Sequence, residues 1–383
     1  MKNGWQTKTL GDVCEVIAGQ SPEGKFYNSE GNGHPFYQGK KDFGEKFIEA
    51  PTTWTTQTTK VAKEGDILMS VRAPVGPVNF STEEICIGRG LAAIRSGIQL
   101  NRDFLFYQLL HLQPEIAGKE GAVFASINKA EIEALPLAFA PLAEQRRIVG
   151  LLDEAFAGLA TAKANAEKNL QNARALFESH LQAVFTQRGP GWPERRFDEV
   201  CAITSTLVDP RKREFLDLTH VGAGNIESKT GVFVDLKTAR EEGLISGKFL
   251  FDDSMVLYSK IRPYLMKVAR PDFEGLCSAD MYPLSPIQNV ITRDYLFHLL
   301  LSKHFTDYAI QGSARAGMPK VNRDHLFEFR VWLPDVKKQK RLAANLDSLH
   351  KETQLLARLY ERKQAALEAL KKSLLHQAFT GEL

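Results

Sequence analysis

The side chains in this sequence best suited to chemistry are basic and amide groups on predicted turns. Arginine and lysine hold DNA phosphates or read guanine in the major groove, and glutamine and asparagine read adenine. Any one of these residues alone is better explained as a solvated surface group. Their placement at comparable turns in both halves of the chain makes them a candidate DNA-binding set. The members are Gln38, Lys40, Lys41, Arg72, Arg89, Asn225, Lys229, Lys260, Arg262, Arg315 and Lys320.

Motifs for catalysis are absent from the sequence. Gly222-x-Gly224 lacks the third glycine of a dinucleotide-binding loop, and no phosphate-binding P-loop occurs. The nine histidines show neither HExxH nor another metal-ligand spacing, and there is no Gly-x-Ser-x-Gly nucleophile elbow. An Asn-Pro-Pro-Tyr-like tetrapeptide of the kind used by amino-methyltransferases is also missing. We therefore predict no catalytic residue and no metal site in this chain.

The four cysteines match in pairs when the two halves are compared. Cys14 corresponds to Cys201, and Cys86 corresponds to Cys277. None of them lies in the closely spaced pairs that a zinc site requires, so buried free thiols are predicted.

Composition is that of an ordinary soluble protein of about two domains. The chain has 383 residues, 43% of them hydrophobic and 25% charged. A net charge of +3 is too small by itself to indicate nucleic-acid binding, so the distribution of charge must carry that inference. The first residues contain no apolar signal region, and no apolar run is long enough to span a membrane. A cytoplasmic location is therefore expected, with no membrane partner.

One long helix is predicted from Leu142 to Phe185, a length of about 65 Å at roughly 1.5 Å per residue. Pro141 precedes it, and Gly189-Pro190-Gly191 follows it. Its apolar residues alternate in steps of four and three, which is typical of a coiled-coil seam. The predicted seam residues are Ile148, Leu152, Ala155, Leu159, Ala162 and Ala166.

The last 50 residues or so repeat this helix. Gln145-Arg146-Arg147-Ile148 corresponds to Gln339-Lys340-Arg341-Leu342, and Leu152-Asp153 corresponds to Leu346-Asp347, each 194 residues later. A long helix with an apolar seam needs a partner to bury that seam, so we expect the two helices to pack against each other in antiparallel fashion. The alternative is that each packs only on its own globular neighbour. The second seam is predicted at Leu342, Leu346, Leu349, Thr353, Leu356, Tyr360, Lys363, Leu367, Leu370 and Leu374.

The segments between the helices also repeat, which indicates duplication of a whole unit rather than a solenoid. Arg102-Asp103-Phe104-Leu105-Phe106 corresponds to Arg293-Asp294-Tyr295-Leu296-Phe297, and Lys129 corresponds to Lys320. Mixed strand and helix patterns indicate an α+β fold with a pseudo-two-fold duplication. The predicted domains are globule 1 at 1–140, a central long helix at 141–187, globule 2 at 188–334 and a C-terminal long helix at 335–383.

This arrangement resembles the specificity subunit of type I restriction–modification systems along the whole chain. The residues that carry the resemblance are Trp5 with Leu10-Gly11-Asp12-Val13, the strand Gly65-Asp66-Ile67-Leu68 leading to Ser70 and Arg72, and the ending Gln377-Ala378-Phe379-Thr380-Gly381-Glu382-Leu383. The second globule departs from the pattern, since Ser254-Met255-Val256-Leu257 stands where the motif has Gly-Asp-Ile-Leu.

The resemblance implies a non-catalytic subunit with two target-recognition domains, each reading one half of a split double-stranded DNA sequence. It implies that the helices act as a spacer and dock two methyltransferase subunits, with restriction subunits joining them. S-adenosylmethionine, ATP and Mg²⁺ would then belong to the partner subunits, and no cofactor would be held by this chain. Because the two globules have diverged in sequence, the two half-sites are expected to differ.

Two other classes of protein remain as alternatives. One is a coiled-coil scaffold whose globules bind protein without DNA specificity. The other is an enzyme with an unrecognised site. A DNA-binding assay separates the specificity subunit from the scaffold, because affinity carried by phosphate contacts falls steeply with salt.

Overall fold

The structure is a computed structural model that describes residues 4–117, 126–187, 189–313 and 319–383. The chain divides into two compact units. Unit 1 comprises Met1–Ala166 and Arg362–Leu383, and unit 2 comprises Glu167–Glu361. Both boundaries fall inside long helices, so each unit contains a globule, the first half of one long helix and the second half of the other.

Unit 1 contains eleven described strands and three short or medium helices before the first long helix. The strands are β1 Gln6–Thr9, β2 Cys14–Ala18, β3 Tyr27–Asn28, β4 His34–Tyr37, β5 Trp54–Thr55, β6 Val61–Ala62, β7 Ile67–Ser70, β8 Val78–Phe80, β9 Ile85–Ile87, β10 Leu91–Ser96 and β11 Pro136–Phe139. The helices are α1 Leu10–Val13, α2 Arg102–Ala117, α3 Lys129–Glu133 and the long helix α4 Leu142–Thr186, whose first half belongs to unit 1 and whose second half belongs to unit 2.

Unit 2 repeats this succession after the end of α4. Its strands are β12 Glu194–Arg196, β13 Cys201–Ala202, β14 Leu207–Val208, β15 Thr219–Val221, β16 Lys237–Thr238, β17 Lys248–Phe251, β18 Val256–Ser259, β19 Val268–Ala269, β20 Gly275–Cys277, β21 Met281–Pro286 and β22 Arg330–Trp332. Its helices are α5 Arg293–Leu301, α6 Lys303–Gln311, α7 Arg323–Glu328 and the long helix α8 Val336–Thr380, whose first half belongs to unit 2 and whose second half belongs to unit 1. The two long helices predicted from the sequence are confirmed.

Sheet topology shows which parts of the globule are duplicated. Each unit has a two-stranded ribbon, β1-β11 or β12-β22, and a four-stranded sheet, β2-β10-β7-β8 or β13-β21-β18-β19. Each also has a five-stranded sheet containing one parallel pair, β4 with β9 or β15 with β20. The strand orders of the five-stranded sheets differ, β3-β5-β4-β9-β6 against β14-β17-β20-β15-β16. The inner strands are therefore shared, and the outer strands have diverged.

The largest core of each unit lies between its four-stranded sheet and its helices. In unit 1 the sheet residues Ile67, Met69 and Ile94 pack with Phe104 of α2 and Ile148 of α4. These strands are apolar on both faces, because a second, smaller core lies between the two sheets. That burial explains why the Ile67–Ser70 strand reads as a continuous apolar run rather than an alternating one.

Parts of the two long helices run antiparallel within each unit. In unit 1, Arg147 Nη2 donates to the carbonyl of Leu383 at 2.9 Å, and Lys163 lies 2.7 Å from Glu368. In unit 2, Arg174 lies 2.9 Å from Glu361, and the ring centre of Phe177 lies 4.4 Å from that of His350. Residue numbers rise along α4 as they fall along α8, as predicted.

The seam of α4 follows the prediction, and that of α8 follows it at seven of its ten positions. All six predicted seam residues of α4 are buried or partly buried. In α8, Leu356 and Leu370 are 41% and 47% exposed, whereas the adjacent Ala357 and Lys371 are partly buried. The three exposed seam predictions of α8, at Leu356, Lys363 and Leu370, are therefore wrong by one residue, because the next residue at each place is the partly buried one.

Backbone pairing also corrects one cysteine match. Tyr37 pairs with Ile87, and Val221 pairs with Cys277 in the corresponding parallel pair. Gly88 N donates to the carbonyl of Tyr37, and Ser278 N donates to that of Val221. Cys277 is therefore equivalent to Ile87 and not to Cys86. The four cysteines are free thiols, and all except the partly buried Cys14 are fully buried.

Each globule is tied to its long helix by a repeated aspartate. In unit 1, Lys46 Nζ lies 3.1 Å from Asp103 on α2 and 3.4 Å from Asp153 on α4, and the hydroxyl of Tyr107 donates to Asp153. Unit 2 has the same arrangement with different partners. Arg270 lies 2.7 Å from Asp294 on α5 and 2.7 Å from Asp347 on α8, and His298 Nε2 lies 2.9 Å from Asp347. The repeated aspartates are therefore structural.

Candidate nucleic-acid interface

Three predicted site residues of unit 1 lie on adjacent segments at one edge of the globule. The amide of Gly90 donates to the carbonyl of Gln38 at 3.1 Å, and the amide of Val71 donates to the carbonyl of Gly90 at 3.0 Å. Gln38, Arg72 and Arg89 are all exposed there. Two guanidinium groups and one amide thus leave the ends of β4, β7 and β9 together, which are the side-chain types that hold phosphates and read purines.

The glycines on either side of Arg89 allow these segments to approach so closely. A Cβ at Gly90 would lie 2.3 Å from the carbonyl oxygen of Gln38, and one at Gly88 would lie 3.0 Å from the ring of Phe36. Only glycine fits at Gly90 without moving the backbone. The Gly-Arg-Gly sequence therefore presents an arginine on a close-packed turn.

Lys40 and Lys41 lie in a short 3₁₀ turn, Lys40–Asp42, two residues beyond Gln38. Both lysines are exposed, and Lys41 Nζ lies 3.8 Å from Asp42. They add positive charge beside the Gln38 segment. Their contact with DNA stays a prediction.

In unit 2, Lys260 and Lys320 converge on one carboxylate. Each Nζ lies 3.8 Å from Asp280 Oδ1. Their backbone segments are joined as well. The amide of Val321 donates to the carbonyl of Lys260 at 2.8 Å, and the next residue, Ile261, forms an antiparallel β-bridge with Lys320. Two positive groups around a single acid leave net positive charge at this edge.

Lys260 is the more enclosed of the two lysines. Its side chain is 12% exposed, its ammonium group donates to the carbonyl of Ala279, and it lies 5.2 Å from the centre of the Tyr282 ring. Burial and then the charge of Lys320 lower the pKa of Lys260, while Asp280 opposes the shift. A further anion would relieve the repulsion between the lysines.

Arg262 is exposed on a backbone that disfavours ordinary residues. Its φ of 50° lies in the left-handed region, and Met266, four residues later, has φ 49°. The amide of Arg262 donates to the carbonyl of Pro319 at 2.9 Å, which holds the turn in place. Non-glycine residues in this region are uncommon and cluster at functional sites.

Two predicted residues of unit 2 are engaged within the protein. The side chain of Asn225 accepts from the amide of Gly222 at 2.9 Å and donates to the carbonyls of Val234 and Asp235. Lys229 Nζ lies 2.7 Å from Glu178 on α4. These contacts shape a turn and tie it to the long helix. Arg315 lies outside the residues that the structure describes.

Hydrogen bonds show that the two basic edges do not match position by position. Ser70 Oγ donates to the carbonyl of Arg72, and Ser259 Oγ donates to that of Ile261, each at 3.2 Å. Arg72 therefore corresponds to Ile261. By the same register that relates Gly88 to Ser278, Arg89 corresponds to Ala279. The edges share a backbone and differ in their basic side chains.

One matched basic position was missed by the sequence comparison. Asn128 accepts from the amide of Glu131, and Asn322 accepts from the amide of His325, so the two asparagines are equivalent helix caps. Lys129 therefore corresponds to Arg323, and its match with Lys320 was wrong. The repeated order of apolar residue, asparagine and basic residue, Ile127-Asn128-Lys129 and Val321-Asn322-Arg323, was the available signal.

The part of the chain that the structure describes holds no candidate metal site. There, His, Cys, Asp and Glu form no group of three or more able to hold a metal ion. None of the described helices combines the length and apolar character needed to cross a membrane.

The match to known proteins agrees with this duplicated architecture. Residues 2–170 and 190–362 each match the family described as the type I restriction modification DNA specificity domain. The matches cover most of the chain, and the chain belongs to this family.

Named relatives are similar over different lengths. The type I restriction enzyme EcoDI specificity subunit of Escherichia coli is 26% identical over 99% of this chain and 88% of its own length. The putative type I restriction enzyme MjaX specificity subunit of Methanocaldococcus jannaschii is 39% identical over 44% of this chain and 40% of its own length.

Solved structures show the same fold at low sequence identity. A chain from a study of complex assembly and conformational transition of the type I R-M system aligns with a TM-score of 0.80 at 18% identity, covering 100% of this chain and 99% of that one. The HsdS subunit of Thermoanaerobacter tengcongensis aligns with a TM-score of 0.63, also at 18% identity, covering 100% and 98%.

Proposed function

We propose that this chain is the non-catalytic DNA sequence-specificity subunit of a type I restriction–modification complex. One observation carries the proposal: two units share one backbone plan but place different basic groups at the same edge. Unit 1 exposes Arg72 and Arg89, where unit 2 has Ile261 and Ala279, and unit 2 instead gathers Lys260, Arg262 and Lys320.

The difference between the edges supports a bipartite, asymmetric DNA target. Phosphate contacts fix the position of a protein on the duplex, and groups aimed at base edges specify sequence. Two recognition surfaces with the same backbone would bind DNA in the same manner but read different bases. Each unit would therefore read one half of the target.

The long helices suit a second role in assembly. Exposed leucines on α8 include Leu355, Leu356 and Leu359 in unit 2, and each is more than two-fifths exposed. Apolar groups concentrated on a helix surface are typical of a protein interface. Within the proposal they contribute to docking two methyltransferase subunits, with restriction subunits joining the complex in the cytoplasm. S-adenosylmethionine, ATP and Mg²⁺ belong to those partners.

The experiment that tests this proposal is mapping of methylated adenines in DNA exposed to the chain with its methyltransferase subunit. We expect one split sequence with two different halves to be modified, and no modification when this chain is omitted. DNA affinity should also fall steeply as salt is raised, because basic side chains displace counterions from phosphates. Salt-independent binding, or modification that does not depend on this chain, would favour the scaffold alternative.

A further inference from the structure

The two units differ in the side chains that fill the space where the globule meets the long helices. Phe177 on α4 is buried in unit 2, with its ring centre 4.4 Å from that of His350 and 6.4 Å from that of His298. Phe177 therefore fills the space between the globular helix α5 and the long helix α8.

Unit 1 has a lysine at the corresponding place. Residues of the two long helices correspond at a separation of 194, so Lys371 corresponds to Phe177, and Phe156 corresponds to His350. The geometry agrees, because Lys371 Nζ lies 5.2 Å from the centre of the Phe156 ring. Tyr107, which corresponds to His298, contacts the same ring edge-on at 5.3 Å.

A cavity lies at this place in unit 1. Its volume is about 300 Å³, and Phe106, Tyr107, Leu110, Phe156, Leu159 and Leu367 supply its apolar walls. For comparison, an apolar protein cavity of about 150 Å³ can hold a benzene molecule. The space is therefore large enough for an aromatic side chain.

The rim of the cavity carries balanced charge. Lys46 pairs with Asp153 at 3.4 Å, and Lys163 pairs with Glu368 at 2.7 Å. Glu45 and Lys371 also line it. An uncharged aromatic ring suits such a site better than an ion, and it could stack on the ammonium group of Lys371 opposite Phe156.

We propose that this cavity, bounded by α2, α4 and α8 of unit 1, receives an aromatic side chain from a helix of a protein partner. The chain's own Phe177, which fills the corresponding space in unit 2 from a helix, indicates this occupant. The inference rests on the proposed function for the identity of that partner, which is the methyltransferase subunit. Unit 1 and unit 2 then bind it through different contacts.

The first part of the test needs only this chain. N-acetyl-phenylalanine amide is titrated while the methyl resonances of Leu110, Leu159 and Leu367 are followed by NMR. We expect saturable shifts with a dissociation constant in the millimolar range, and none with N-acetyl-alanine amide. Absence of saturable shifts in the wild-type chain would overturn the proposal.

The second part uses variants and the methyltransferase subunit. Lys371→Phe fills the cavity from inside, as Phe177 does in unit 2, and should abolish probe binding and weaken methyltransferase binding at least tenfold. Ala160→Arg obstructs the cavity from an exposed lining position and should act in the same direction. Lys372→Phe, at the neighbouring exposed position, is the matched control and should leave both properties unchanged.

The outcomes separate this inference from the proposed function. If Lys371→Phe and Ala160→Arg lose the probe but bind the methyltransferase subunit as the wild type does, the occupant is wrong and the proposed function stands. If the wild type binds the probe but no methyltransferase subunit, the proposed function is wrong, and the methyltransferase subunit is not the partner that fills the cavity. Thermal unfolding shows whether the Lys371→Phe variant is folded. If it is not, the binding measurements on the Ala160→Arg variant test the proposal instead.

Discussion

The backbone amide of Asn101 donates a 2.7 Å hydrogen bond to the side-chain oxygen Oε1 of Gln145. Gln145 Nε2 in turn donates to the carbonyls of Ala140 and Gln99, at 2.8 and 3.1 Å, and the side chain is fully buried. One glutamine at the start of α4 thereby holds the segment that leads into α2. Amides at the start of a helix have no partner within the helix, so they need one from elsewhere.

Unit 2 contains the same arrangement. Gln339 accepts from the amide of Thr292 at 2.9 Å and donates to the carbonyls of Val290 and Pro334 at 2.8 and 2.9 Å. Gln339 is also fully buried. The repeated glutamine at the start of each long helix therefore fixes that helix to its globule.

Replacing Gln145 with methionine should destabilise unit 1. Methionine has a similar volume but neither donates nor accepts these bonds, so one amide and two carbonyls would lose partners. Each buried group left unsatisfied costs about 1–3 kcal/mol, so the three groups together should cost about 3–9 kcal/mol. Denaturant unfolding measures it. Gln171→Met, at an exposed position of the same helix, should change stability little. An unchanged unfolding midpoint in Gln145→Met would contradict this role.

A circularly permuted chain that begins at Gly189 should fold and bind the same DNA. Close to the first and last residues of this sequence, Trp5 and Phe379 both contact the ring of Phe104, with ring centres 6.2 and 5.2 Å away. A short linker from Leu383 to the start of the chain should therefore be tolerated. Circular dichroism checks folding, and DNA selection checks the target. Loss of folding with several linker lengths would contradict the expected closure.

Unit 2 should lose stability as pH falls from 7 towards 5. Burial lowers the pKa of His298 from its ordinary value of 6.5, although Asp347 opposes the shift. Below pH 6.5 the unfolded chain binds a proton that folded His298 does not, so protonation favours unfolding. Burial also lowers the pKa values of two other histidines of unit 2, the buried His220 and the partly buried His350, and these act in the same direction.

His298→Gln should reduce this pH dependence. A glutamine can still donate to Asp347, whose pKa is held well below its usual range by hydrogen bonds from His298 and Arg270 that outweigh its burial. Glutamine does not titrate, so the slope of unfolding free energy against pH should fall between pH 7 and 5. Urea unfolding at several pH values measures the slope. An identical slope in the variant would exclude His298 as a contributor.

Arg72→Ala should weaken DNA binding and relax the preference in one half-site. Arg72 is exposed at the edge that also carries Arg89 and Gln38. A base contact would be worth about 1–3 kcal/mol, whereas a phosphate contact would weaken all sequences equally and reduce the salt dependence. Selection of bound sequences distinguishes these outcomes. Arg146→Ala, an exposed position on α4 outside the candidate set, is the control. Unchanged binding and preference would make Arg72 a bystander.

The sequence by itself determined the duplication and the long helices. Residue pairs 194 apart, such as Asp153 with Asp347, and the apolar steps of four and three are local, repeated signals. It also singled out basic turns in each half. Helical periodicity depends on residues three or four apart, so it can be read without knowing what lies across the chain.

The tertiary structure alone decided which of those residues act together. Gln38, Arg72 and Arg89 are separated by many residues and meet only because Gly90 donates to the carbonyl of Gln38 and accepts from the amide of Val71. Asn225 and Lys229 have the same residue types as DNA-contacting groups, but a turn and Glu178 engage them. The sequence also shows that Lys371 stands where the other long helix has Phe177, but only the structure shows that a cavity lies beside Lys371. Side-chain availability depends on contacts between distant segments, which local spacing does not encode.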